Sequence, residues 1–149
     1  MSVIDKINTQ SSYFTLAEVA EGVFAADSAL YLPADRVLLA GDLLFVQNHP
    51  SMQTGNISHW LSILQEWRDL PISAAIAGHG PVGDHQTVES CLRYLEALGA
   101  QANHLADSGC TPESREAVVI PEPYAAWNNP SLFAHNLQQL VQQLTAASE

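Results

Sequence analysis

The chain has 149 residues, a length typical of one domain, and 47% of them are hydrophobic while 14% are charged. This composition argues against intrinsic disorder, which combines low hydrophobicity with high charge. The formal net charge of −11 argues against partners such as nucleic acid or an anionic membrane, because both attract clustered Lys and Arg.

The first ten residues contain no unbroken apolar run, and no stretch of the chain approaches the roughly 18 apolar residues of a membrane span. The two cysteines, Cys91 and Cys110, lie in no CxxC or CxxH spacing. A disulfide-stapled secreted protein normally has more cysteines. We therefore expect a cytoplasmic protein with free thiols, Cys91 being a core residue.

The first part of the chain is predicted to form strands. Alternating apolar residues indicate strands at 13–20 and 23–26. A hairpin is predicted around Pro33 and Asp35, and the apolar run at 36–40 predicts a buried strand that ends at Gly41 and Asp42. A loop is expected from Phe45 onward.

The remainder is predicted to be helical, apart from one further buried strand at 72–77. Trp60, Ile63, Leu64 and Trp67 share one helix face, which Asn56 or Ser58 could cap. A second helix is predicted from Asp84 to Leu98, with Gly99 at its end, and a third is expected to start at 111–113. The last is an amphipathic helix with one apolar stripe, formed by Phe133, Leu137, Leu140, Val141 and Leu144.

Two of the predicted strands end in a polar residue next to glycine. Asp42 follows Gly41, and His79 lies between Gly78 and Gly80. Ligands of α/β proteins gather at the carboxyl ends of strands, and Asp and His suit a divalent metal such as zinc or iron. An alternative is that Asp42 caps a turn while His79 donates to a carbonyl. His49, in the following loop, could lie over this site but is expected to be exposed to solvent.

These segments resemble the C-terminal half of the metallo-β-lactamase superfamily. The resemblance rests on SALYLPADRVLLAGDLLF at 28–45, on GHGPVG at 78–83, and on the helix of Trp60 between them; residues 13–26 are similar to the opening strands of the family. Asn48, His49 and Pro50 are similar to a loop found in one branch. The resemblance implies a truncated αββα sandwich of class α/β (α+β) over residues 1–149, with about one sheet and helices on one face.

The resemblance also implies that Asp42 bridges two metal ions and that His79 binds the second. The family's His-x-His-x-Asp-His signature, which supplies most of the ligands, is missing from this sequence, as is a further family histidine near Asp27. A catalytic zinc site typically has about three protein ligands and a bound water. We therefore expect Asp42 and His79 to be a vestigial site with no firmly bound cofactor, zinc or iron being possible there.

A truncated sandwich with one sheet and helices on one face leaves the other face of that sheet with nothing packed against it. An exposed apolar face is unusual in a stable monomer, and a homodimer through that face would bury it. The expected function is that of a degenerate, non-hydrolytic protein that acts as a dimeric binding or interaction protein. The alternative is a metal-dependent hydrolase whose site is completed across the dimer or by a partner chain. Stoichiometric metal retention would discriminate between them.

Overall fold

The computed structural model describes residues 29–52, 56–109 and 118–146, which form a mixed α/β arrangement of one three-stranded sheet and three α-helices. The predicted strands at 13–20 and 23–26 and the helix start predicted at 111–113 lie outside the described residues. The predicted fold class, a truncated α/β sandwich with one sheet, is confirmed within the described part of the chain.

The sheet has the order β1 (Leu30–Leu32), β2 (Val37–Phe45) and β3 (Ala74–His79). Strands β1 and β2 form the predicted antiparallel hairpin, and β3 pairs with β2 in parallel. Strand β2 is longer than predicted because it continues through Gly41. The left-handed φ of 51° at Gly41 allows a bulge, after which pairing with β3 resumes.

The first two helices follow the sequence signals closely at their N-termini. Helix α1 (Ile57–Arg68) is capped by Asn56, whose side chain accepts a hydrogen bond from the His59 backbone. Helix α2 (His85–Ser108) begins with a capping box between Asp84 and Thr87. A 3₁₀ turn at Tyr124–Ala126 precedes helix α3 (Pro130–Ala146).

The prediction that Gly99 ends the second helix is wrong. Helix α2 continues for nine residues to Ser108 and ends at Gly109, whose φ of 65° forms the left-handed cap. The reason is that the apolar stripe continues beyond Gly99: Leu98, Ala102 and Leu105 are all buried on one side. Tertiary burial of that stripe outweighs the roughly 1 kcal/mol helix penalty of one glycine.

The two faces of the sheet differ sharply in burial. Leu38, Ala40 and Ala75 on one face are inaccessible or nearly so, and α2 contacts β2 and β3. On the other face, Leu30, Leu32 and Ile76 are 39%, 38% and 41% exposed. Since the buried residues alternate with the exposed ones along each strand, the core lies on one side of the described sheet.

The edge of β3 that does not pair with β2 forms hydrogen bonds with the segment that follows β3 in the chain. The backbone of Ala75 donates to the Gly83 carbonyl at 2.8 Å and accepts from the Gly83 amide at 2.9 Å. This bridge closes the turn that contains His79 and leads directly to the Asp84 cap of α2. None of the described helices is long and apolar enough to cross a bilayer.

Candidate functional site

Asp42 and His79 lie side by side on neighbouring strands. His79 is the last residue of β3, and Asp42 lies just past the bulge of β2. The His79 Nε2 atom is 3.4 Å from the Asp42 Oδ1 atom, and the two side chains are 71% and 65% exposed. The structure therefore brings together the two residues that the sequence predicts at adjacent strand positions. Their contact is a solvent-exposed ion pair when His79 is protonated.

The close approach of the two strands depends on Gly78. A Cβ atom at this position would collide with the Asp42 carboxylate, and it would lie 2.9 Å from the Gly41 carbonyl carbon and 3.0 Å from the Asp42 nitrogen. These backbone distances are too short for any side chain. Gly78 is therefore what allows the Asp42 backbone to lie against β3.

The loop that leaves β2 is tied to the same site. The Val46 amide donates to the His79 carbonyl at 3.1 Å, and Gly80, with φ 99°, packs against Val46 so closely that a Cβ would collide with it. The next residue, Gln47, has a left-handed φ of 56°. Its carbonyl accepts a hydrogen bond from the Asn128 amide at 2.8 Å, which joins the loop to the segment before α3.

The expectation that His49 is exposed is wrong. Its side chain is 2% exposed, and its Nδ1 atom lies 2.9 Å from the hydroxyl of Tyr94 on α2. The rings of Tyr94, Trp127 and Phe133 surround it at centroid distances of 5.5, 5.8 and 5.8 Å. We call these four residues the His49 cluster. Burial lowers the pKa of His49, an effect that the neighbouring backbone of Tyr124 partly opposes.

Asn136 of α3 anchors the rest of the loop, and sequence reasoning did not single it out. It is inaccessible to solvent; its amide donates to the Pro50 carbonyl at 2.8 Å and its side-chain oxygen accepts from the Met52 amide at 3.1 Å. The available signal was its position: Asn136 lies within the apolar stripe of α3, between Phe133 and Leu140. A polar residue on a buried stripe indicates a buried hydrogen bond.

The donor set at Asp42 and His79 does not match an ordinary zinc site. One carboxylate and one imidazole provide two ligands, whereas a catalytic zinc typically has about three. In residues 29–52, 56–109 and 118–146, no group of three or more His, Cys, Asp or Glu side chains is placed to hold a metal ion.

Solved structures resemble this chain in fold. A metallo-beta-lactamase family protein from Thermus thermophilus matches with a TM-score of 0.55 and 22% identity, over 81% of this chain and 40% of that one. The fold is metallo-β-lactamase-like. A metallo-beta-lactamase from Pontibacter korlensis matches with a TM-score of 0.43 and 23% identity, over 46% of this chain and 34% of that one. No protein-family model and no curated protein matches the sequence.

The metallo-β-lactamase-like fold confirms the resemblance inferred from the Gly-Asp and Gly-His-Gly-Pro segments. The chain spans 34 to 40% of the length of the solved structures described above. At identities of 22 to 23%, the shared feature is the fold.

The other titratable candidates do not contribute to the site. His59, His104 and His135 are exposed on their helices. Cys91 is buried, as predicted, and its thiol donates to the Phe45 carbonyl at 3.0 Å. Burial raises the pKa of Cys91 to about 12, so the thiolate that a nucleophile needs is not populated near neutral pH.

Proposed function

We propose that this metallo-β-lactamase-like chain is a non-hydrolytic protein that acts as a homodimeric binding or interaction module. The proposal is supported by the outer sheet face. Leu30 pairs with Leu39, and Leu39 pairs with Ile76, so three large apolar side chains form a row across all three strands. We name this row, together with Leu32, the outer apolar face.

An outer face of this kind favours association with a second copy. Association through it would bury leucine and isoleucine side chains that are now about two-fifths exposed, and such burial drives most protein association. A two-fold contact would place each row against its equivalent. The formal net charge of −11 on each chain opposes this association, so the dimer should tighten as salt screens the repulsion.

Sedimentation velocity on the full chain, over about 1 to 100 µM and at two salt concentrations, tests the dimer. Ile76→Lys places a charge on the outer apolar face and should weaken association at least tenfold. Val82→Lys is the matched control, because Val82 is 67% exposed and lies beyond β3. A wild-type protein that stays monomeric at 100 µM, or equal effects of the two variants, would refute this interface.

A second candidate function is a metal-dependent hydrolase whose site is completed across the dimer or by a partner chain. The observation that favours it is the 3.4 Å contact between an imidazole and a carboxylate, two groups that commonly bind metals, both open to solvent. Elemental analysis of untagged protein separates the candidates. About one zinc or iron per chain, lost in Asp42→Ala, would support the hydrolase; a dimer without metal would support the interaction module.

We also propose the cytoplasm as the compartment. There, the reducing environment would keep the free thiol of Cys91 unpaired. Fractionation of cells that produce the protein, with probing of each fraction for the chain, tests this assignment.

A further inference from the structure

We propose that His49 is a positioning residue. While it is neutral, His49 anchors the loop that follows β2 to α2 and α3; when it is protonated, that loop is released. The site geometry is then sensitive to mildly acidic pH. This inference concerns how the Asp42–His79 pair is held. It does not depend on whether the chain dimerises or binds a metal.

The His49 cluster leaves no room for a charged, hydrated imidazole. The ring is enclosed by three aromatic side chains, and its Nδ1 atom is occupied by the Tyr94 hydroxyl. The Nε2 atom is buried and has no hydrogen-bond partner among the described residues. For a second N–H at the ring, only the Tyr124 backbone offers partial stabilisation, and the closed cluster gives no access to water.

The groups that face His49 compensate a positive charge only in part, through the Tyr124 backbone. From α2 it meets the Tyr94 phenol, from the 3₁₀ turn the Tyr124 backbone, and from α3 the Phe133 ring. Burial raises the pKa of both phenols, so neither becomes an anion near neutral pH. Charged side chains of α2, Arg93 and Glu96, act on the Tyr124 phenol at the outer side of the cluster.

A continuous set of contacts joins the His49 cluster to the candidate site. His49 is three residues beyond Val46, whose amide binds the His79 carbonyl. Between them, Gln47 keeps a left-handed φ of 56°, a conformation that a non-glycine residue retains only where its surroundings enforce it. Release of His49 would remove that constraint and, with it, the hydrogen bond to His79.

The direction of the pH effect follows from linkage. In the released loop, His49 is solvated and titrates near its ordinary pKa of 6.5, whereas burial lowers that pKa in the closed loop. Protons therefore bind preferentially to the released state. The equilibrium constant for release should rise up to tenfold per pH unit as the pH falls below 6.5, until the lowered pKa is reached, and should be constant above 6.5.

Amide hydrogen exchange of the metal-free full chain, measured by NMR between about pH 5 and 7.5, tests the proposal. The Val46 protection factor, corrected for the intrinsic pH dependence of exchange, should fall by up to tenfold per pH unit below 6.5. It should also stay below that of Leu95, a fully buried residue of α2 that we expect to exchange by global unfolding. A Val46 protection factor that is independent of pH, or equal to that of Leu95 throughout, overturns the inference.

Two variants separate the role of His49 from that of other histidines. His49→Gln keeps a polar side chain for the Tyr94 hydroxyl but cannot be protonated, so its Val46 protection should no longer depend on pH. His135→Gln, on α3 outside the His49 cluster, should retain the wild-type profile. An unchanged pH dependence in His49→Gln overturns the inference.

The wild-type protein provides a second measurement that does not rely on a variant's folding. The carbon chemical shifts of the labelled His49 ring report its protonation directly. Their midpoint should lie below 6.5, within the pH range over which Val46 protection falls. A midpoint at or above 6.5, or one outside that range, overturns the proposal even if His49→Gln fails to fold.

Discussion

Replacing Gly78 with alanine should separate the two strands that hold Asp42 and His79. The new Cβ would lie 2.9 Å from the Gly41 carbonyl carbon and 3.0 Å from the Asp42 nitrogen. The Asp42 carboxylate can rotate away at little cost, but these backbone atoms cannot. Overpacking of this kind costs about 1 to 3 kcal/mol. Alanine returns about 0.4 to 1 kcal/mol by restricting the unfolded chain, so a net loss of about 1.3 kcal/mol, and at most about 2.6 kcal/mol, is expected.

Gly99→Ala is the matched control for this prediction. Gly99 lies inside α2, where a Cβ would find only the Ile57 Cδ1 atom at 3.7 Å, an ordinary contact. The same chemical change should therefore stabilise the protein by about 0.5 to 1 kcal/mol. Urea denaturation followed by far-UV circular dichroism measures both. If Gly78→Ala is as stable as Gly99→Ala, the strand spacing at Asp42 is not set by glycine and the reasoning is refuted.

Three further substitutions or reactions test the fold. Asp84→Ala removes the capping box of α2 and should lower the free energy of unfolding by about 1 kcal/mol in urea denaturation. Asn136→Ala leaves the Met52 amide and the Pro50 carbonyl without their partner and should cost about 2 to 5 kcal/mol, seen as a lower melting temperature. Cys91, with a pKa raised to about 12, should not react with a thiol reagent at pH 8 in the native state and should react on unfolding.

Each of these tests has its own control and contrary result. Asp107→Ala, at the exposed C-terminal end of α2, should leave stability unchanged or slightly higher, since an acidic residue there opposes the helix dipole. An Asn136 variant with wild-type stability would mean that water replaces its hydrogen bonds. Thiol labelling is done in a Cys110→Ser background, and rapid native labelling would contradict the burial of Cys91.

The elements that the sequence predicted well are those with local signals. The hairpin around Pro33, the Asn56 and Asp84 caps and the apolar stripe of α3 depend on residues close to one another in the chain. Asp42 and His79 were predicted at adjacent strand ends because each follows a short apolar run; the structure makes them neighbours, although Asp42 lies within β2. The end of α2 was mispredicted at Gly99 because glycine is a local signal for a helix end. The helix continues because tertiary contacts bury the residues beyond Gly99.

His49 could not be placed from the sequence because its environment comes from three distant segments. Tyr94, Trp127 and Phe133 are far from it in sequence, and no periodicity links them to a loop. The polar Asn136 in an apolar stripe was the one accessible clue to a buried network. A loop histidine is exposed by default, and only the assembled helices reverse that expectation.

The Ala75–Gly83 bridge protects part of the outer edge of β3 against the addition of a further strand. Open β-strand backbones can recruit further strands indefinitely, and natural sheets protect themselves against this growth. Here, Gly83 of the same chain forms hydrogen bonds with both the amide and the carbonyl of Ala75, at the outer edge of β3. An added strand cannot form a continuous ladder of backbone hydrogen bonds with β3 at this position. At this position, β3 is therefore closed to edge-to-edge addition of a further strand.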